Sequence, residues 1–128
     1  MQEKHLFEYA VVRVVPRVER EEFLNVGVVL YCAKERFLKF LFKVDESRLS
    51  SFCNECDIPE IIDYLNAFSL ICEGEKSAGP IAKLPIAERF RWLTAKRSTI
   101  VQTSSVHPGL CDNAQEMLER LFDQMVKQ

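Results

Sequence analysis

The first 44 residues constrain the fold most, because their apolar side chains recur with the period of a β-strand. Residues 8–15, 23–32 and 36–44 are rich in Val, Phe, Leu and Tyr, and short polar breaks separate them. Strands separated by such short breaks usually pair through antiparallel hairpins. The sequence therefore predicts a three-stranded antiparallel meander in the first third of the chain.

The two faces of this meander differ in polarity. Even-numbered positions of the three stretches are almost wholly apolar, whereas the odd-numbered positions include Arg13, Asn25, Gly27, Lys39 and Lys43. If the hairpins pair in even register, the even face meets the helices and the odd face is half polar. A glycine inside a strand predicts a β-bulge, or a close approach by another segment, at Gly27. The pattern leaves open whether the odd face is exposed or covered by the final helix.

Helical patterns follow the meander. Four helices are predicted, at residues 45–52, 57–73, 85–93 and 112–126. The second begins with a capping box, Asp57-x-x-Glu60, and a fourth strand is predicted at residues 98–104. Segregated strands and helices favour the α+β class. We expect a single domain of residues 1–128, in which the meander and a later fourth strand are packed on one face by about four helices.

Composition bounds the class of protein. The chain has 128 residues, of which 48% are hydrophobic and 28% charged, an ordinary balance for a folded domain. Its apolar runs are too short to span a bilayer, and the N-terminus lacks the apolar core of a signal peptide. The five cysteines are odd in number and scattered, and two of them, Cys32 and Cys72, lie in buried patterns. Reduced thiols and a cytoplasmic location are therefore expected.

Charge is distributed unevenly along the chain. The formal net charge is only −2, but residues 45–75 carry eight acids and one base, a net of −7. Residues 83–103 carry five bases and one acid, a net of +4. Such a separation either pairs two parts of one fold or presents a basic patch outward.

Candidate binding residues concentrate in and around the basic segment, which we define as residues 89–107. Arginine forks suit phosphate or carboxylate, hydroxyls add donors, and a tryptophan offers a stacking surface. The polar strand positions Arg13 and Asn25 join this set. The candidate residues are Arg13, Asn25, Arg89, Arg91, Trp92, Arg97, Ser98, Thr99 and His107.

Structural roles compete with binding for the same residues. Arg89 and Arg91 would then pair with the acidic helices and Trp92 would fill the core, while Arg13 would be held by Glu22 or another acid. No glycine-rich cradle precedes a helix here, so the pattern of a phosphate-binding loop is missing from the sequence.

The cysteines and histidines suggest three weaker alternatives. A redox role for Cys53-x-x-Cys56 needs a preceding strand and a helix N-terminus that lowers the thiol pKa; a helix is predicted to begin just after Cys56, but residues 45–52 are also predicted to be helical. Cys53-x-x-Cys56, joined by His107 and Cys111, would supply four zinc ligands, although neither half is specific alone. Cys111 and His107 would make a nucleophile and base only if the turn predicted at Pro108-Gly109 brought them together. We therefore expect no bound metal and no cofactor, and an enzyme is the minority interpretation.

Three segments resemble a bacterial family that is catalogued as domain of unknown function (DUF) 3037. They are "YAVVRVVPRVEREEFLNVGVVLY" (residues 9–31), "ERFRWLTAKRST" (residues 88–99) and "VHPGLC" (residues 106–111). The family pattern often has proline where this chain has Lys96. The resemblance brings no activity and no catalytic residues. Because members look to be encoded near kinases of the HipA toxin type, it implies a protein partner, a HipA-like kinase, and a regulatory role.

These observations favour a small binding or regulatory module that holds an anionic partner or phosphate-bearing ligand through the basic segment. Arg91 and Arg97 would make forked contacts, and Ser98 and Thr99 would donate hydroxyls. The alternative is a small enzyme acting on a phosphate or nucleic-acid substrate, centred on His107 with the arginines as electrostatic clamps. Nucleic-acid binding without catalysis is the weakest hypothesis, because the rest of the chain is acidic. No membrane partner is expected, and the oligomeric state is left open.

Overall fold

The computed structural model describes residues 4–16 and 22–127 and contains five strands and four α-helices in that part of the chain. The strands are β1 His5–Val14, β2 Leu24–Cys32, β3 Phe37–Phe42, β4 Val101–Thr103 and β5 His107–Cys111. The helices are α1 Glu46–Phe52, α2 Ile58–Glu73, α3 Ile86–Leu93 and α4 Ala114–Met125, with two short 3₁₀ turns at Lys76–Ala78 and Pro80–Lys83.

All five strands form one antiparallel sheet around β1. β3, β2 and β1 follow one another as the predicted meander. β4 pairs with the Val12–Val14 end of β1, and β5 pairs with its His5–Tyr9 end. Because β2 takes one edge of β1, β4 and β5 lie end to end along its other edge. The α+β class, the meander and the later strand are confirmed.

β5 is a strand that the sequence analysis missed. The turn predicted at Pro108-Gly109 is wrong, because Pro108 pairs with Glu8 and Gly109 with Phe7 inside the ladder. Proline is tolerated there because β5 is an edge strand, where a missing N–H faces solvent. A Cβ on Gly109 would lie 2.6 Å from Phe7 Cζ, so glycine lets the phenyl ring cross this position. β4 is also shorter than the predicted strand over residues 98–104.

The helices divide between the two faces of the sheet instead of covering one. One core joins β1, β2 and β3 to α1, α2 and α3, and includes Ala10, Val12, Val14, Val29, Phe40, Leu49, Leu65 and Phe90. The other joins the sheet to α4 alone, and includes Phe7, Val28, Leu30, Cys111, Leu118 and Phe122. The final helix thus covers much of the face whose exposure the sequence left open.

A β-bulge explains why the parity rule fails along β2. Val12 pairs with Gly27 and the next residue, Arg13, pairs with Asn25, so Val26 is an extra residue without a partner. Side chains after this point change faces, because one inserted residue reverses the alternation of a strand. The prediction of a bulge or close approach at Gly27 is confirmed on both counts, since a Cβ there would lie 2.7 Å from the carbonyl oxygen of Leu41.

Side-chain caps begin α1, α2 and α4 at or within one residue of the starts that the sequence indicates, whereas α3, which follows Pro85, begins without one. Asp45 Oδ1 accepts the Arg48 N–H at 3.1 Å, and Asp57 Oδ1 accepts the Glu60 N–H at 3.1 Å. The cap of α4 is Asn113, one residue beyond the predicted start. Each cap satisfies a backbone donor that the helix leaves unpaired. Among the described helices, none combines the length and apolarity that a membrane crossing requires.

Candidate functional site

The connection from α3 to β5 forms one wall of an open groove of about 680 Å³ against β1. Three cationic side chains line the groove: Arg13 from β1, and Lys96 and Arg97 from the loop after α3. The remaining lining residues are Thr94, Ser98, Gln102, Thr103, Ser104, Ser105 and Val106. None of the ten described lining residues is an acid, so positive charge is concentrated here although the whole chain is slightly acidic.

Arg13 reaches the groove from a central strand. Its guanidinium carbon lies 3.9 Å from the ring centroid of Phe23, a cation–π contact. Its Nε is buried without a hydrogen-bond partner among the described residues. Burial lowers the pKa of Arg13. Its described neighbour is therefore an aromatic ring, whereas Glu22 or another acid was expected from the sequence.

Arg97 is fixed by the C-terminal end of α3. Its Nη1 donates to the carbonyl oxygens of Leu93, at 3.2 Å, and Ala95, at 3.4 Å, and its Nη2 donates to that of Trp92. The last carbonyls of a helix lack intrahelical donors and carry partial negative charge, so a guanidinium stabilises them. The same guanidinium lies 4.3 Å from the Trp92 ring centroid. Its conformation is thus set before any ligand arrives.

Lys96, Ser98 and Ser105 carry the uncommitted polar groups of the groove. Lys96 and Ser98 are exposed, and none of the three side chains has a hydrogen bond to another described residue. By contrast, Ser104 Oγ accepts the Val11 N–H at 2.8 Å and donates to the Ser105 carbonyl. Ser104 therefore ties the wall to β1, while Lys96 and Ser98 offer donors to the groove.

The other residues of the basic segment lie outside this groove. Arg89 Nη1 donates to the Leu84 carbonyl oxygen at 2.7 Å, and its guanidinium carbon would lie 3.4 Å from a Cβ on Gly74, at the end of α2. Arg91 forms an ion pair with Glu8 at 3.2 Å. The expected partners of these arginines, the acidic helices, are therefore not the ones observed.

Trp92, Thr99 and His107 also fall outside the groove lining. Trp92 is 39% exposed, so it does not fill the core, and one neighbour of its ring is Arg97. Thr99 Oγ1 donates to the Val101 carbonyl at 2.7 Å. His107 is exposed on β5, with its ring centroid 5.4 Å from that of Tyr9. These three residues are close in sequence to the groove residues, but their side chains do not line the groove.

Asn25 pairs with Arg13 across the β1–β2 ladder but lines a different cavity, of about 340 Å³. Its Nδ2 donates to the Met125 carbonyl oxygen at 3.1 Å, while its Oδ1 is buried with no described partner. Asn25 therefore links β2 to the end of α4, and the described contacts give it a structural role.

The alternative zinc ligands are not brought together. Cys53 and Cys56 form a disulfide between α1 and α2, which corrects the expectation that every thiol is reduced. Cys56 packs against the core of α1, α2 and α3, whereas Cys111 lies in the core beneath α4 on the other face of the sheet. His107 is opposite Tyr9 on the exposed part of β5. The three free cysteines, Cys32, Cys72 and Cys111, are buried.

A second polar cluster was not anticipated from the sequence. His5 Nδ1 lies 2.8 Å from Glu35 Oε2, which also accepts the Ala114 N–H at 3.0 Å and the Cys32 thiol at 3.9 Å. Burial raises the pKa of the Cys111 thiol, and the neighbouring Cys32 and Glu35 raise it further. The only signal in the sequence was parity, which puts His5 on the odd face of β1; nothing local indicated that Glu35 would reach it.

Comparison with known proteins adds a family but no activity. The model of a family described as "Protein of unknown function (DUF3037)" matches residues 9–126. This match spans all the segments that carried the resemblance, and it includes the groove, most of β1 and every residue named for the two cores except Phe7. No curated protein and no solved structure matches the chain.

Proposed function

Because the chain belongs to the DUF3037 family, whose description names no function, we propose a function from the groove itself. The protein is a small binding module that holds a phosphate-bearing group of a partner. One observation carries this proposal: Arg13, Lys96 and Arg97 line a single groove whose described lining contains no acid. Clusters of cationic side chains without counter-charges are typical of sites that recognise phosphate.

The three cations would divide the work of holding a phosphate. Arg97 is held against α3, so it loses little side-chain freedom on binding. Lys96 is exposed, so its ammonium would act as a point charge. The Nε of Arg13 is buried with no partner among the described residues, and partial burial lowers the pKa of Arg13, which a bound anion would offset. A phosphate about 4 Å from one such charge gains about 1 to 4 kcal/mol, depending on local screening.

The shape of the groove favours a phosphorylated protein segment over a free nucleotide. The groove is open rather than enclosed, and its walls carry Ser, Thr and Gln side chains. Trp92, the residue expected to stack a base, already contacts Arg97 and does not line the groove. The implied association with HipA-like kinases supplies a candidate partner of this chemistry, namely a phosphorylated segment of such a kinase.

The proposal predicts that a phosphoserine peptide binds and that Lys96→Glu weakens binding at least about tenfold, which corresponds to about 1.4 kcal/mol. Isotope-labelled protein would be titrated with the peptide and with its unphosphorylated form. Shifts are expected at the amides of Ser98, Gln102 and Ser104, which border the groove. Lys96 suits the test because it is exposed and has no described partner to lose.

Arg91→Glu is the matched control, since it makes the same charge change five positions away but outside the groove. Its side chain pairs with Glu8 and does not line the groove. If peptide binding depended only on the overall positive charge of the protein, both variants would weaken it equally. We expect Arg91→Glu to change the affinity less than about twofold. Equal weakening by the two variants, or equal binding of both peptides, contradicts a phosphate site in the groove.

Catalysis centred on His107 receives no comparable support. The imidazole is outside the groove lining, and its described ring neighbour is Tyr9. Nucleic-acid binding would use the same three cations, and its affinity would then fall with salt with a slope of about −2 to −3 on logarithmic axes. A salt titration of a labelled oligonucleotide therefore distinguishes this hypothesis from recognition of a phosphoserine peptide.

A further inference from the structure

Three segments that are distant in sequence meet at one end of the sheet, on the face that α4 covers. His5 begins β1, Cys32 ends β2 with Glu35 in the turn that follows, and Ala114 begins α4. A ring nitrogen of His5, Cys32 Sγ and one Glu35 carboxylate oxygen all lie within 4.8 Å of one another. This convergence is independent of the groove, which borders the opposite end of β1.

We propose that His5, Cys32 and Glu35 form a binding site for a zinc-like divalent cation. One imidazole, one thiolate and one carboxylate are the three donor types that zinc combines in proteins. This set shares no residue with the zinc alternative considered from the sequence, whose cysteines lie elsewhere.

The distances suit a small tetrahedral ion. Zinc–ligand bonds of about 2.0 to 2.3 Å place two ligand atoms of a tetrahedron about 3.3 to 3.8 Å apart. The observed separations from Glu35 Oε2 are 2.8 Å to His5 Nδ1 and 3.9 Å to Cys32 Sγ. The first separation would have to widen by about 0.5 Å and the second already lies near the tetrahedral range, so we expect rotations of these side chains to enclose an ion.

Glu35 can serve the fold and the ion together. Its Oε2 accepts the Ala114 N–H at the beginning of α4, which holds the carboxylate in position. The same oxygen keeps a second lone pair for the ion, and Oε1 has no hydrogen bond to a described residue. Such support of a ligand by a second hydrogen bond is usual in metal sites and orients the carboxylate.

Access and a fourth ligand are both provided by the edge of the sheet. The side chains of His5 and Glu35 are 22% and 25% exposed, so an ion can enter past them although Cys32 is fully buried. Cys111 pairs directly with His5 across the β1–β5 ladder. The fourth position of the tetrahedron is therefore open to water or to the Cys111 thiol.

Cobalt(II) provides the test, because it replaces zinc and gives a thiolate charge-transfer band in the near ultraviolet. The full chain carrying Cys53→Ser, Cys56→Ser and Cys111→Ser would be titrated. The first two changes remove a pair that would compete for cobalt if its disulfide were reduced, and the third leaves Cys32 as the thiol that the site offers. We expect a single equivalent of cobalt to produce the band and zinc to abolish it. Cys32→Ser should remove the band, whereas Cys72→Ser, which changes a buried thiol of the other core, should leave it unchanged.

His5→Ala guards the test against loss of folding in Cys32→Ser, because His5 lies at the end of β1 and is partly exposed. We expect it to weaken cobalt binding at least about tenfold while circular dichroism stays unchanged. Zinc should raise the midpoint of thermal unfolding of the parent background but not of His5→Ala. A band that survives Cys32→Ser, a band lost equally in Cys72→Ser, or no band at saturating cobalt overturns the proposal.

Discussion

Arg13 illustrates how one residue can join the fold to the site. It lies in a strand that is paired on both edges, and its guanidinium rests on Phe23 with Nε unpartnered among the described residues. Partial burial lowers the pKa of Arg13, so its environment disfavours the charged form to some extent. A bound phosphate would favour that charge, so Arg13 would join the fold of β1 to the proposed site.

The arginines of the basic segment differ because the local backbone decides where each side chain points. Arg89 and Arg91 are two positions apart on α3, so they lie on different faces of the helix. One turns inward to the Leu84 carbonyl, and the other reaches Glu8 on β1. Arg97 follows the helix and folds back onto its last carbonyls. The sequence indicated a basic segment, but the contact that each arginine makes depends on its neighbours in the folded chain.

Cys72 gives a prediction about pH at the same scale. Burial raises the pKa of its thiol from 9.0 to about 12. Between these values the folded state keeps the proton and the unfolded state loses it, so the free energy of unfolding falls as pH rises. From pH 8 to pH 10 this thiol should account for a loss of about 1.3 kcal/mol.

Urea unfolding at both pH values, in the natural chain and in Cys72→Ala, measures this contribution. The variant removes the titrating group, so its stability should fall less over the interval by that amount. Identical losses in the two proteins would mean that the thiol ionises in the folded state as readily as in the unfolded state. Cys72→Ala also lowers stability at every pH by creating a small cavity, which the difference between the two pH values cancels.

At the scale of elements, the spacing of apolar residues along the sequence predicted most of the strands and helices. The meander, α2 with its Asp57 cap, and the later helices follow from apolar spacing and capping residues. β5 could not be recognised, because Pro108 and Gly109 are turn formers in most contexts and only pairing with β1 makes them a strand. The division of helices between two faces was hidden by the bulge beside Gly27, which reverses the faces of β2.

Gly27→Ala tests the close approach of β3 to Gly27, the residue beside the bulge. A Cβ at this position would lie 2.5 Å from Phe40 Cε1, 2.7 Å from the Leu41 carbonyl oxygen and 2.9 Å from Phe42 Cβ. All three neighbours belong to the paired strand β3, and two of the contact atoms, a carbonyl oxygen and a Cβ, cannot move without disturbing the ladder. We therefore expect a loss of about 1 to 3 kcal/mol in the free energy of unfolding, measured by urea denaturation.

Gly109→Ala is the comparison for that experiment. A Cβ there would also be crowded, at 2.6 and 2.8 Å, but both contacts are with carbons of the Phe7 ring. A ring can shift where a backbone carbonyl cannot, so Gly109→Ala should cost less than Gly27→Ala. The opposite order would show that the packing of Phe7 under β5 is more rigid than the β2–β3 ladder.

At the scale of the whole molecule, the groove exists because β1 is shared. β4 and the loop after α3 meet β1 at one end, while β5 and α4 meet it at the other. The sequence indicated a basic segment, and Arg97 and Ser98 do line the groove with Arg13. It could not separate them from Arg89, Arg91, Trp92, Thr99 and His107, because convergence depends on how the chain returns to the sheet. For the same reason, the sequence did not indicate the cluster of His5, Cys32 and Glu35.

Amide hydrogen exchange connects this architecture to the proposed ligand. The Ser104 N–H donates to the Val11 carbonyl at 2.8 Å, and the Val15 N–H donates to that of Ile100 at 2.6 Å, so both report opening of the groove wall from β1. β4 has only three residues, so we expect this wall to open locally at a lower free energy than the core of the sheet.

A ligand that needs the closed wall suppresses that opening by a factor of one plus the ratio of its concentration to Kd. With phosphoserine peptide at ten times Kd, exchange of the Ser104 amide should slow about elevenfold. The Leu118 amide in α4 is the internal control, because it lies on the other side of the sheet from α2 and α3 and does not border the groove. Exchange at Ser104 that stays unchanged at saturation would place the bound phosphate elsewhere, whereas selective slowing there would tie the ligand to the wall that Lys96 and Arg97 share.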